Sequence, residues 1–137
     1  MKKVLYLFYL LCFSTVILSG SCKKGSGGGG SNEAPLSVEL NPAVNSNQAP
    51  APGPEFPVTI TIKSVMPPSG VTIDVVARQD VAGSTPFFSQ SVSSVTATNS
   101  INITGSPRNV TIKVTVTVTS KTDSNNKWTG SYTYSRK

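Results

Sequence analysis

The stretch Val110–Thr119, with the sequence VTIKVTVTVT, alternates β-branched apolar residues with polar ones throughout its length. Successive side chains of a strand point to opposite faces, so a period of two predicts a β-strand with one buried and one solvated face. A strand this apolar would pair readily with other chains if it lay at a sheet edge. We therefore expect it to be central, with a neighbouring strand on both sides.

The same alternation recurs on either side of this stretch. Shorter runs that share it are Leu36–Leu40, Val58–Lys63, Val71–Arg78, Phe87–Val92, Ala97–Thr104 and Trp128–Tyr134. Clusters of proline, glycine, asparagine and serine separate these runs, as turns require. No segment has helical spacing, so the chain predicts seven strands and an all-β fold.

Clean alternation implies antiparallel sheets with one wet face, and two such sheets packed together form a sandwich. Seven short strands in about 100 residues resemble an immunoglobulin-like or fibronectin type III domain. The resemblance implies a single antiparallel β-sandwich of about seven strands, immunoglobulin-like, over residues 35–137. The inter-sheet cysteine pair of antibody domains is missing, and an open barrel or a jelly-roll fragment is the alternative.

The N-terminus has the pattern of an export signal. Met1–Lys3 is positively charged, and the apolar run Val4–Leu18 is shorter than the ~20 residues that span a bilayer as a helix. The small residues Ser19–Ser21 then precede Cys22, an order similar to the lipobox of bacterial lipoprotein precursors. The resemblance implies a signal peptide at residues 1–21 and lipid attachment at Cys22. The alternative is an ordinary signal peptide in which Cys22 has no role.

Residues 22–34 are expected to form the anchor and a linker. Gly25–Ser31, with the sequence GSGGGGS, has no side chain able to pack and is typical of a flexible coil. Two acyl chains hold a protein stably at a membrane. These features predict a domain tethered in the bacterial cell envelope, at the periplasmic or surface face of the outer membrane.

The composition argues against several function classes. Both cysteines, Cys12 and Cys22, precede the predicted domain, and the chain has no histidine, the commonest general base and metal ligand. The acidic residues are scattered. Leaving out Lys2, Lys3 and the pair 23–24, eight basic residues remain against six acidic ones, which gives little reason to expect nucleic acid. We expect no enzyme activity, no cofactor and no metal site.

The usual strand order of such sandwiches predicts where the loops lie. The tether should leave from the end that carries Val65–Gly70 and Lys121–Lys127. The loops at the opposite end would then be Pro42–Pro57, Asp80–Pro86 and Gly105–Asn109, where a ligand has better access.

Three residues near that distal end are candidates for binding. Consecutive strand residues face opposite sides, so one of Phe87 and Phe88 should enter the core and the other stay exposed as a binding anchor. The alternative is that the second ring packs under the proline-rich loop or covers a sheet edge. Arg108, in a distal loop, is the third candidate. The aromatic face of Trp128, Tyr132 and Tyr134 is interpreted as core, with a platform for sugars or proline-rich peptides as the alternative.

These features favour a non-catalytic binding or adhesion module, anchored to the membrane by lipid, that contacts a protein or an envelope polymer through loops or a sheet edge. The alternative is a structural or accessory subunit that assembles with a larger partner through a sheet edge. An enzyme or an enzyme inhibitor is the weakest hypothesis.

Overall fold

The computed structural model describes residues 33–137, and the predicted signal peptide, Cys22 and most of the linker lie outside this part. Its strands agree with the predicted runs to within two residues at each end. The elements are β1 (Val38–Asn41), β2 (Phe56–Ile62), β3 (Val71–Gln79), β4 (Pro86–Ser94), β5 (Thr98–Ile103), β6 (Thr111–Ser120) and β7 (Lys127–Ser135).

The strands form two antiparallel sheets that pack face to face. One has the order β1-β2-β5 and the other the order β4-β3-β6-β7. The predicted all-β sandwich is confirmed, and so is the central position of β6, between β3 and β7. In immunoglobulin constant domains the fourth strand lies in the same sheet as the first, second and fifth. Here β4 instead extends the other sheet, beside β3.

The alternating apolar residues of both sheets make the core. On β6, the four inward residues Ile112, Val114, Val116 and Val118 are completely buried. Burial of each such side chain stabilises the fold by roughly 1.5–3 kcal/mol. The two sheets thus close over an aliphatic centre made largely of valine and isoleucine.

The aromatic residues of β7 lie on the inner face, as the core interpretation predicted. Tyr132 and Tyr134 are each 1% exposed, and the ring of Phe56 stacks on Tyr134 with a centroid distance of 4.0 Å. Trp128 is half-buried and lies across Gly130. These rings fill the space between the sheets and do not form an exposed platform.

Candidate functional site

The outer edge of β7 is covered by another part of the chain. Residues 45–51 of the β1–β2 loop run beside it, with bridges in parallel orientation. The backbone N–H groups of Asn45, Gln48 and Ala51 donate to carbonyl oxygens of β7 at 2.8, 2.9 and 2.9 Å. We call residues 45–51 the edge segment. It satisfies acceptors that an edge strand otherwise presents to solvent, and so closes the C-terminal half of this edge, Ser131–Ser135, to further strands.

The outer edge of β4 has no such cover. Within residues 33–137, β4 pairs with β3 alone, and no loop forms backbone hydrogen bonds along its other side. The strand is 9 residues long. It therefore presents a row of free N–H and C=O groups, to which an extended segment of another chain can pair.

The side chains of β4 do little to protect this edge. Natural edge strands commonly carry charged residues or proline. In β4, Pro86 stands only at the first position, and the chain has no acidic or basic residue from Val81 to Pro107. By contrast, β1 at the edge of the other sheet carries Glu39, whose Oε2 lies 2.7 Å from Nζ of Lys63. The β4 edge is thus polar, uncharged and free of proline beyond its first residue.

The two candidate phenylalanines begin β4, and their placement corrects the expectation of one buried and one exposed ring. Phe87 and Phe88 are both half-buried and both pack against the core. The reason is a β-bulge: Ala77 of β3 pairs with Phe88 and Arg78 pairs with Pro86, which leaves Phe87 without a partner in the register. A bulge re-aims the side chain of its extra residue, so strict alternation fails at this point.

Gln90, in the middle of β4, lies on the core side of the sheet and yet is exposed. It stands opposite Val75, which is completely buried, and cross-strand partners share a face. Phe88 and Val92, its neighbours on this face, are half-buried. The opposite sheet therefore no longer covers the inner face of this sheet at β4.

Arg108, the third candidate, is exposed in the β5–β6 loop. Tyr134 of β7 and Arg136, which directly follows β7, both bind this loop. The hydroxyl oxygens of Ser106 and Tyr134 are 2.6 Å apart, and Nη1 of Arg136 donates to the carbonyl oxygen of Ser106 at 2.8 Å. Arg108 thus faces solvent, whereas the two phenylalanines pack partly against the core.

Of the three loops expected at the end away from the tether, two lie together there. The N–H of Asp80 in the β3–β4 loop donates to the carbonyl oxygen of Thr111, at the end of the β5–β6 loop, at 2.9 Å. The third loop runs largely along β7 as the edge segment. Sequence reasoning missed this role because the edge segment consists of small and polar residues with one proline and has no alternating pattern.

The chain enters the domain beside the β2–β3 and β6–β7 loops, as the strand order predicted. Nδ2 of Asn126 donates to Oε2 of Glu33 at 3.0 Å, and the N–H of Leu36 donates to Oδ1 of Asn126 at 2.9 Å. A cleft of about 320 Å³ lies here between Glu33, Ala34 and residues 65–68. The incoming chain forms one wall of this cleft.

The ionisable groups with shifted pKa values lie away from β4. Burial raises the pKa of Tyr132 and that of Tyr134. Desolvation raises the pKa of Glu33, but hydrogen bonds with Ser120 at the end of β6 and with Asn126 and Thr122 of the β6–β7 loop outweigh it and lower the pKa below its usual value. The shifts of the two tyrosines follow from packing of the core, and the shift of Glu33 follows from contacts where the chain enters the domain.

Compared with protein-family models and with curated proteins, the chain matches none. No group of three or more acidic, cysteine or histidine side chains that could bind a metal occurs in residues 33–137. The same part of the chain contains no helix capable of crossing a bilayer. The outer edge of β4, which has no backbone partner among the described residues and carries no charge, is the candidate site.

Proposed function

We propose that this chain is a bacterial envelope lipoprotein whose β-sandwich is a non-catalytic binding module. The positive start, the apolar run and the small residues before Cys22 support export and lipid attachment. The glycine-rich stretch Gly25–Ser31 supports a tethered domain. The chain enters at one end of the sandwich, which leaves the long sides accessible.

The contact surface in this proposal is the open edge of β4. The observation that carries it is the contrast between two edges of one sheet. The edge segment pairs with Ser131–Ser135 of β7, whereas the outer edge of β4 is uncharged and has no backbone partner among residues 33–137. A partner would add an extended segment whose backbone completes the hydrogen bonds of β4. This favours a protein partner over an envelope polymer, because a polymer without backbone amides cannot continue the ladder.

A permanent role as an accessory subunit would use the same edge. The two roles differ in stoichiometry, because a subunit holds one constant partner whereas an adhesion module meets varied ones. Cross-linking in intact cells therefore separates them.

Photo-cross-linking tests the contact surface directly. A benzophenone amino acid is placed at Gln90 in the full chain, expressed with its own N-terminus, and at Thr129 as a matched exposed position on β7. Adducts at Gln90 and none at Thr129 are expected. Adducts at both positions alike, or adducts only when the probe replaces Arg108 in the distal loop, would refute the β4 edge as the contact surface.

A further inference from the structure

From Phe88 to Val92, the side chains of β4 are arranged symmetrically about Gln90. On the inner face, Phe88 and Val92 flank it, and on the outer face Ser89 and Ser91 do so. When two identical strands pair antiparallel about a central residue, the positions before that residue oppose the positions after it. The stretch Phe88–Val92 is therefore complementary to a second copy of itself, whereas beyond it Phe87 would oppose Ser93 and Pro86 would oppose Ser94.

We propose that the strand that pairs with the open edge is β4 of a second copy of this chain, antiparallel about a two-fold axis at Gln90. This inference rests on the proposed role of the β4 edge. Phe88 then lies opposite the second copy's Val92, and Ser89 lies opposite the second copy's Ser91. Aromatic pairs with β-branched residues and serine pairs both stabilise antiparallel strands. Two four-stranded sheets join into one continuous sheet through an isologous interface.

Symmetry leaves few other registers. Opposed residues share a face, so the residue at the axis must oppose its own copy. An axis at Ser89 would place Phe88 opposite Gln90, and an axis at Ser91 would place Gln90 opposite Val92. Both oppose an amide to an apolar side chain and leave residues unpaired at the strand ends. Of these three axes, only the one at Gln90 opposes no amide to an apolar side chain within Phe88–Val92.

The charge distribution also favours a second copy at this edge. Residues 33–137 carry eight basic and six acidic side chains, so the formal charge of the domain is slightly positive and opposes self-association weakly. No charged residue lies between Asp80 and Arg108 along the chain. Pairing of two β4 strands therefore does not place like charges opposite each other. The edge of β5 is also uncharged but lacks the symmetry, because Ile101 and Ile103 are buried in its second half.

The mass of the adduct at Gln90 distinguishes failure of this inference from failure of the proposed function. The full chain is expressed in two differently tagged forms in the same cells, with benzophenone at position 90. An adduct that carries both tags at twice the chain's mass is expected. An adduct only with a different protein would overturn the second copy while the β4 edge stands. No adduct at position 90 would overturn both.

Cysteine pairs test the register. In co-expressed chains, Ser89→Cys in one form and Ser91→Cys in the other should give a mixed disulfide-linked dimer. Ser89→Cys alone should give little, because two copies of position 89 are diagonal neighbours, beyond the reach of a disulfide. The unsubstituted chain, with Cys12 and Cys22 in place, supplies the background. Equal yields from the mixed and the single forms would overturn the axis at Gln90.

A charge at the axis should break the pair. Gln90→Lys places two lysines directly opposite each other, and we expect the yield of the mixed disulfide to fall by on the order of tenfold. Thr129→Lys adds the same charge to the exposed face of β7 and should leave the yield unchanged. Because Gln90 is exposed, its variant should keep the unfolding temperature of the parent. An unchanged yield in Gln90→Lys would overturn the pairing.

Discussion

Two tyrosines on the inner face of β7 differ in whether the hydroxyl has a partner. The hydroxyl of Tyr134 lies 2.6 Å from that of Ser106, whereas the hydroxyl of Tyr132 is buried and has no hydrogen-bond partner among residues 33–137. Leaving a buried polar group unpaired costs free energy, and a typical hydrogen bond contributes about 1 kcal/mol. The two residues therefore respond in opposite ways to loss of the hydroxyl.

We expect Tyr134→Phe to lower the free energy of unfolding by ~1–2 kcal/mol, because Ser106 loses its partner in a buried site. Tyr132→Phe should leave that free energy unchanged or raise it by up to ~1 kcal/mol, because it removes only an unpaired hydroxyl. Denaturant unfolding of both variants measures the difference. A larger loss for Tyr132→Phe would contradict the assignment of the hydrogen bonds.

Gly130 allows the ring of Trp128 to lie across β7. A Cβ at position 130 would stand 2.9 Å from Cζ2 of that ring and closer still to Cη2, so the ring would have to move. We expect Gly130→Ala to cost ~1–3 kcal/mol of stability, as overpacking does. Trp128 is the only tryptophan in the chain, so its fluorescence should shift to the red as the ring becomes exposed.

Gly53→Ala is the matched control for this substitution, because a Cβ at position 53 meets no atom within 4 Å. It should change neither the emission nor the unfolding temperature. Unchanged tryptophan emission in Gly130→Ala would show that the ring does not pack on Gly130.

At the scale of elements, local alternation was enough to predict the strands but not which strands lie at the edges of the sheets. The run Val110–Thr119 matches β6, since a period of two is set by the backbone itself. The bulge at Phe87 depends on how β4 and β3 pair, and pairing over a distance leaves no local pattern. The uncharged run Val81–Pro107 is the one signal in the sequence that marks the open edge, and it gains meaning only once β4 is known to be an edge strand.

The edge segment is predicted to stabilise the fold and to limit association along β7. In Gln48→Pro the N–H that donates to the carbonyl oxygen of Thr133 is lost, so a β7 acceptor becomes unpaired. We expect a loss of ~1–3 kcal/mol in the free energy of unfolding and an increase in light scattering on standing. Ala49→Pro is the control, since no backbone hydrogen bond from the N–H of Ala49 is found in the structure. Equal effects from the two prolines would contradict the role of the edge segment.

At the scale of the whole molecule, the proposed pair limits how the domain can sit at a membrane. The two-fold axis is perpendicular to the sheet, so it relates strands that run in opposite directions. The points near Glu33 where the two chains enter their domains therefore lie at opposite ends of the pair. Both anchors reach one membrane only if the pair lies with its strands along the surface. A linker of glycine and serine between Cys22 and Glu33, expected to span on the order of 20 Å, suits this arrangement.

Shortening the linker therefore tests the arrangement of the pair at the membrane. Deletion of residues 25–31 should reduce cross-linking at Gln90 in membranes, because the two anchors no longer reach the same surface. In detergent, where no common surface constrains the anchors, the yield should match that of the full-length linker. Equal loss in both conditions would show that the deletion damages the domain rather than its approach to the membrane.

The lipid anchor decides where any of these contacts take place. We would test the anchor by measuring the intact mass and the detergent partitioning of the chain expressed from its own N-terminus. Two acyl chains hold a protein at a bilayer where one gives only marginal binding, so a diacylglyceryl group at Cys22 should send the protein to the detergent phase. We expect a mature chain that begins at Cys22 and carries that mass. Cys22→Ser should lack the added mass and partition to water, while its domain unfolds at the same temperature. An unmodified, water-soluble wild-type product would refute the lipoprotein assignment, yet it would leave the pairing at β4 testable in solution, because that interface depends on residues of the sandwich alone.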